Sequence, residues 1–298
     1  MKLNYSLLSG FLILIILFGA CHKSPSLSTE PLSDFTFSHS GQYIIYRLDS
    51  TVFINYGTQK TVNSYLLKDV ADTIITDNLG RKGWRVFRYI TDTAMQTGWQ
   101  SQETYFVTTS QSTMEVDENN LRFIKLATPV SYGFSWLGNT YLPYNPLQDS
   151  YQYNTADNLD WSGWNYTYQN INDTLSYNGT VYDSTVTVLQ VNDSTNSSSV
   201  SSRTYWIEKY GRHVGLLYKE IQMWEYQASY TVSGCYYVNC PSNCSDTIDC
   251  TLHPSQCDSI GNLPVTQQQQ WIEHCRDSTL TGYYYTGYGI KMTILSHS

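Results

Sequence analysis

Along this chain the apolar positions keep two different rhythms. Residues 7–18 form an almost unbroken apolar run, preceded by Lys2 and followed by Gly19 and Ala20. From residue 43 onward, apolar and polar positions alternate with period two, the pattern of a strand with one packed and one wet face. The alternation predicts one or two strands over 43–54 and further strands over 61–70, 84–90, 103–109, 113–116 and 121–126. Between them, Asp77-Asn78-Leu79-Gly80-Arg81 and Glu118-Asn119-Asn120 supply residues that tolerate positive φ, as tight hairpin turns require. Trp84, Arg85 and Arg88 fit a strand with one wet and one packed face, and Asp69, Asp72 and Asp77 read as scattered turn carboxylates. No amphipathic helix stands out in this half.

Between residues 132 and 170 the alternation dissolves into Gly, Asn, Pro and aromatics, so a long connection is expected there. Strand signals resume over 183–191 and break at a polar tract over 192–202, expected to be a flexible hairpin loop. They return over 203–210 and 216–226. The last run, 283–295, places Ile290, Met292 and Ile294 on one face and is expected to close the main sheet. The segment before it lacks a continuous apolar pattern, and 267–275 is expected to form one short helix.

The N-terminal apolar run is about 12 residues, whereas a helix needs roughly 20 to cross the hydrocarbon core. With a cation before it and small residues after it, residues 1–20 read as a secretion signal. The junction Phe18-Gly19-Ala20-Cys21 resembles the lipobox of bacterial lipoproteins. That resemblance implies cleavage before Cys21, a thioether-linked lipid on its sulfur with acyl chains such as palmitate, and anchorage to a membrane without spanning it. Residues 21–38, rich in Ser and Pro, read as a polar tether, with 39–298 as one β domain and 233–278 as a cysteine-rich insertion. In that lipoprotein class, His22 in place of an aspartate after the cysteine implies the outer membrane. The lack of an acidic run before Glu30 implies a domain facing the periplasm.

Composition narrows the fold and the partners. The chain has 27 tyrosines among 298 residues, and Asp and Glu outnumber Lys and Arg by 25 to 17. Aromatic and β-branched enrichment predicts a mostly β protein, an antiparallel curved sheet or open half-barrel. No Lys/Arg cluster is present, so nucleic acid is excluded as a partner on electrostatic grounds. The segment from Tyr205 to Ile221, with Gly211, Val214, Gly215 and Leu216 in its turn, resembles a hairpin of Bacteroidota outer-membrane lipoproteins of uncharacterised function. Their sheet in turn resembles the half-barrel of the Lol-type lipoprotein carriers. The resemblance covers residues 40–232 and 280–298 and implies a fold. It transfers no catalytic residue and does not itself imply lipid carriage.

Six of the seven cysteines, Cys235, Cys240, Cys244, Cys250, Cys257 and Cys275, crowd into about 40 residues. An even number in an exported chain reads as a disulfide framework, with 15 possible pairings left open. A zinc site using His253 and His274 with some thiolates is the rival. The oxidising compartment and the lack of a Cys-x-x-Cys knuckle speak for disulfides.

A search for chemistry returns little. Gly133-Phe134-Ser135-Trp136-Leu137-Gly138 lacks the glycine two residues after serine that a nucleophile elbow needs. No His-Glu-x-x-His motif occurs, and Asp157-Asn158-Leu159-Asp160 lacks the spacing of a calcium loop. The expectation is a non-enzymatic envelope lipoprotein without a cofactor or metal, binding an apolar ligand or a protein in its concave sheet. The alternative is a glycan- or protein-interaction module using exposed Trp161, Trp164, Tyr166 and Tyr168 with the cysteine-rich loop, since such rings suit sugars and peptides.

Overall fold

The computed structural model describes residues 31–55, 57–142, 161–196, 200–227, 231–239, 246–249, 271–279 and 284–298. The signal, Cys21, the segment Asp157 to Asp160 and four cysteines (Cys240, Cys244, Cys250 and Cys257) lie outside them.

Short polar turns join alternating strands, so neighbours in sequence become neighbours in the sheet. β1 (Tyr43–Ile54), β2 (Gln59–Thr76), β3 (Lys82–Asp92), β4 (Gln100–Thr109), β5 (Thr113–Glu118) and β6 (Leu121–Ala127) form a first meander. A second contains β7 (Ser135–Leu137), β8 (Asn165–Tyr177), β9 (Thr180–Asn196), β10 (Val200–Gly211) and β11 (Gly215–Gln227). A separate sheet follows, built from β12 (Thr231–Asn239), β13 (Asp246–Asp249) and β14 (Trp271–Thr279). Finally β15 (Tyr284–His297) inserts between β1 and β11, giving the antiparallel order β6-β5-β4-β3-β2-β1-β15-β11-β10-β9-β8-β7.

The two outer strands of this order meet, and the sheet becomes a nearly closed barrel. The Ile124 amide donates to Gly138 O at 2.8 Å, and Trp136 Nε1 donates to Ile124 O at 2.8 Å. Tyr168, fully buried, uses its hydroxyl in both directions across the seam: it donates to Ala127 O at 2.8 Å and accepts from the Ala127 amide at 3.1 Å. Gly138 must lack a side chain here, because a Cβ would run into the Tyr166 ring. Closure satisfies backbone groups that an open edge would leave exposed. The half-barrel expectation therefore holds for the antiparallel curvature, and the observed sheet curves further.

Four local expectations are corrected. The segment 21–38 is not a tether throughout: a 3-10 turn at Leu32–Phe35 buries Leu32 and Phe35, and Phe37 is buried too. The folded part thus starts several residues earlier than its polar composition suggests. Residues 132–170 are not one connection, since β7 and the start of β8 lie within them. The tract 192–202 carries the paired ends of β9 and β10, with Asn196 opposite Ser201. Trp271 to Cys275 belongs to a strand, β14, whose register sets Cys275 opposite Cys235 on β12, so the short helix is not formed there.

The barrel has two dissimilar ends. At one, the 3-10 turn lies across the opening beside the β10–β11 turn, with the His213 amide donating to Asp34 O and Arg212 3.6 Å from Asp34. From the other depart the β7–β8 connection and the segment between β11 and β15. We call them the plugged end and the connection end. Tyr168→Phe would strip both Ala127 backbone groups of their partner at the seam and should cost about 1–3 kcal/mol in urea unfolding. An unchanged midpoint and slope would show that the seam does not depend on it.

Candidate functional site

Strand alternation brings an unusual set of side chains to the barrel interior. Leu67, Asp69 and Ala71 share one parity on β2, as do Val86 and Arg88 on β3 and Trp206, Glu208 and Tyr210 on β10. Phe123 and Lys125 on β6 and Leu217 and Lys219 on β11 follow the same pattern. Glu103 on β4 and Glu118 on β5 complete the group. Seven strands thus each contribute one charge to a single interior cluster.

Arg88 is the hub. It is 8 % exposed and forks onto Asp69 through Nε to Oδ1 at 2.7 Å and Nη2 to Oδ2 at 2.9 Å. Its Nη1 also donates to Glu103 and Glu118. The Tyr105 hydroxyl donates to Asp69 at 2.9 Å while its ring lies 4.7 Å from the guanidinium. A second knot surrounds Glu208, which accepts from Lys125 Nζ at 2.8 Å and from the Tyr210 hydroxyl at 2.6 Å. Lys219 links the two knots, 3.6 Å from Glu118 and 3.9 Å from Glu208.

Three cations face four carboxylates in a place shielded from water, so full ionisation would leave one charge uncompensated. Glu103 resolves this. Burial raises its pKa from 4.5 to about 7, with neighbouring Glu118 adding to the rise and Arg88 opposing it. Burial also works against ionised Glu118 and Glu208, but nearby cations prevail: Lys219, Arg88 and Lys125 at Glu118, Lys125 and Lys219 at Glu208. Both are held below the usual range. Burial pushes Lys125 down, whereas Lys219 is raised because its two carboxylates outweigh its burial.

Side chains fill most of the space inside. Near the plugged end is a cavity of about 60 Å³, bounded by Phe35, Phe37, Tyr46 and the charge cluster. Toward the connection end is one of about 120 Å³, bounded by Lys219, Trp161, Trp206 and Ile290 among others. Neither matches the ~300–1,000 Å³ of a pocket for a drug-sized ligand. An aliphatic-lined concave trough, which an apolar ligand would need, does not occur among the described residues.

The aromatic quartet proposed as exposed is in the core. Trp161, Trp164, Tyr166 and Tyr168 are all buried. Trp161 and Trp164 stack at 4.6 Å, and Trp206 stands edge-on to both at 5.6 and 5.4 Å. Tyr166 donates to Asn139 Oδ1 at 2.6 Å, and Tyr168 holds the seam. Their apolar bodies fill the barrel while their hydroxyls find local partners, which explains the burial of such polar-tipped rings. An outward aromatic group exists elsewhere: Phe53 stacks on Tyr285 at 5.1 Å and meets Trp224 edge-on at 6.0 Å, with Lys60 5.1 Å from the Trp224 ring. It sits on β1, β15 and β11 toward the connection end.

Ser135 bonds to Thr167 at 2.8 Å, with no histidine in that arrangement. Among the described residues no three His, Cys, Asp or Glu side chains are placed to hold a metal ion. The sequence reading missed the whole interior cluster. Its available signal was parity, since Asp69, Arg88, Glu208 and Lys219 each fall two residues from a buried apolar side chain on the same strand.

No family model and no curated protein sequence matches the chain. Among solved structures it is similar to a Bacteroides fragilis protein described as exported and of YmcC-like fold. The two are 9 % identical with a TM-score of 0.32, over 63 % of this chain and 91 % of that one. No residue role passes from that protein to this one.

The cluster sets a pH signature with opposite limbs. Glu103, with its pKa raised, contributes stability that is full below about 4.5 and is lost as pH rises toward and past 7. Glu118 and Glu208, with theirs lowered, contribute stability present above 4.5 and lost as pH falls below it. Thermal unfolding should therefore show a maximum between about pH 4.5 and 7, and Glu103→Gln should flatten the decline above it. An identical decline in that variant would mean another group sets the limb.

Proposed function

We propose that this protein is a non-enzymatic cell-envelope lipoprotein, held on the outer membrane by a lipid on Cys21 and facing the periplasm, that engages a protein partner at the connection end of its barrel. The observation that carries this reading is the asymmetry of the two ends. One is closed by the chain's own Leu32–Phe35 turn, while both long excursions of the chain leave from the other, beside the outward aromatic group. Loops positioned by a rigid scaffold are where binding residues concentrate.

The outer wall supports attachment through a lipid in preference to burial in the bilayer. Arg47, on an outward position of β1, pairs with Asp49 at 3.0 Å, and Arg85 pairs with Asp72. A barrel that spans a membrane presents an apolar band about 25 Å tall. The filled interior disfavours the apolar-ligand branch, and the burial of Trp161, Trp164, Tyr166 and Tyr168 disfavours a glycan surface made from them. Disulfides among the six clustered cysteines would stabilise the insertion in an oxidising compartment.

A photoreactive side chain at Val62 or Met95, both exposed near the connection end, should yield a discrete cross-linked protein in intact host cells. The same group at Leu79 or Val181, exposed near the plugged end, should yield none, and Cys21→Ser should move the protein to the soluble fraction. Cross-links from the plugged end alone, or an acyl lipid held non-covalently by the Cys21→Ser protein in native mass spectrometry, would overturn the proposal.

A further inference from the structure

The segment between β11 and β15 repeats the pairing of the strands that flank it. β11 and β15 pair as far as Gln227 opposite Tyr284. Beyond them β12 pairs with β14, from Thr231 opposite Thr279 to Asn239 opposite Trp271. In that ladder Cys235 stands directly opposite Cys275. Gly234 faces Arg276 on one side of the pair and Tyr236 faces His274 on the other, so the register is held from both sides.

Directly opposite residues of an antiparallel pair share one face of the ladder, with Cα atoms about 4.5–5.5 Å apart. A disulfide joins Cα atoms about 4.4–6.8 Å apart, a range that contains this spacing. Two competitors for Cys235 are near it in the chain or the ladder. Cys240 follows the last residue of β12, and the strand from Cys235 to Asn239 is about 13 Å long at about 3.3 Å per residue. One further residue brings Cys240 back by no more than about 3.8 Å, which leaves it beyond the ~7 Å limit for a bridge. Cys250 is the stronger rival, since it follows β13, whose ladder with β12 ends at Tyr236 opposite Asp249. That ladder stops before Cys235, whereas the ladder with β14 runs through it.

We propose that Cys235 and Cys275 form a disulfide that staples β12 to β14, an assignment that rests on the exported location proposed above. The Cys235 thiolate attacks the disulfide of an oxidised dithiol carrier in that compartment and forms a mixed disulfide. The Cys275 thiolate then attacks the Cys235 sulfur, and the carrier leaves as a dithiol with the two electrons and two protons given up by the pair. The bond fixes the register of the insertion's stem, the part that joins its loop to the rim. Cys240, Cys244, Cys250 and Cys257 all lie between the bonded residues in the chain. The 15 pairings that spacing leaves open fall to three, all among those four.

Peptide mapping of the full chain, isolated from its own host in detergent with free thiols alkylated at lysis, tests the assignment. Chymotrypsin cuts after Tyr236 and Trp271, which separates Cys235 and Cys275 from the other four clustered cysteines. Without reductant, the peptides holding Cys235 and Cys275 should be found as one mass, and reduction should release both. Cys235→Ser should leave Cys275 as the newly alkylated residue, and Cys275→Ser should do the same for Cys235. The wild-type map alone decides if either variant fails to accumulate. Cys235 joined to Cys250 or another cysteine, or alkylated while others are bridged, would overturn the assignment and leave the exported location standing. Alkylation of all six in the wild-type chain would overturn both.

Discussion

Arg88 sits inside a protein wall with its guanidinium forked on Asp69 and its remaining nitrogen shared by Glu103 and Glu118. A cation so placed cannot revert to neutral at accessible pH, because arginine keeps its proton even when buried. Every strand that supplies one of its carboxylates must therefore be present at a fixed height and with a fixed parity. β2, β3, β4 and β5 are registered to one another through this residue as well as through their backbone ladders. Lys219 extends the same constraint to β11, and Glu208 with Lys125 ties β10 to β6 across the interior. Buried ion pairs bring little net stability, but breaking one is expensive, and that asymmetry suits a device that fixes register.

Filling the barrel with charges and tyrosines has consequences for what the protein can do. Among the described residues, small cavities stand in place of an apolar trough, one under the Leu32–Phe35 plug and one toward the long connections. The seam is closed by Tyr168 and Trp136. Outside the barrel, the rim carries the aromatic group around Phe53 and the departure of the segment between β11 and β15.

Much of this fold was legible in the sequence, and the failures have physical reasons. Strands with clean alternation, such as the runs ending in Ile54 and Val191, were recognised because each face has one character. β8 was lost because its wet side carries Asn165, Thr167, Asn170 and Asp173 among tyrosines, which reads as a loop until Tyr166 and Tyr168 are seen to share a buried face. Leu32 and Phe35 were hidden in a segment whose Ser and Pro suggest a linker. The interior charges were the least legible. β2 is apolar on both parities near Asp69, with Leu66 and Val70 flanking Leu67 and Ala71, so composition could not say which face was inside. A charged residue is ordinarily assigned to water, and only the partners brought by three other strands, β2, β4 and β5, reverse that assignment for Arg88.

Equilibrium urea unfolding of Arg88→Met beside Arg85→Met measures the dependence on the buried hub most directly. The two arginines are three residues apart on β3, and each is paired with an aspartate of β2. Arg85 is 40 % exposed, and its loss should cost less than about 1 kcal/mol. Loss of Arg88, which strands buried Asp69 without its cation, should cost about 3–5 kcal/mol. Equal, small costs for the two variants would contradict a barrel registered through Arg88.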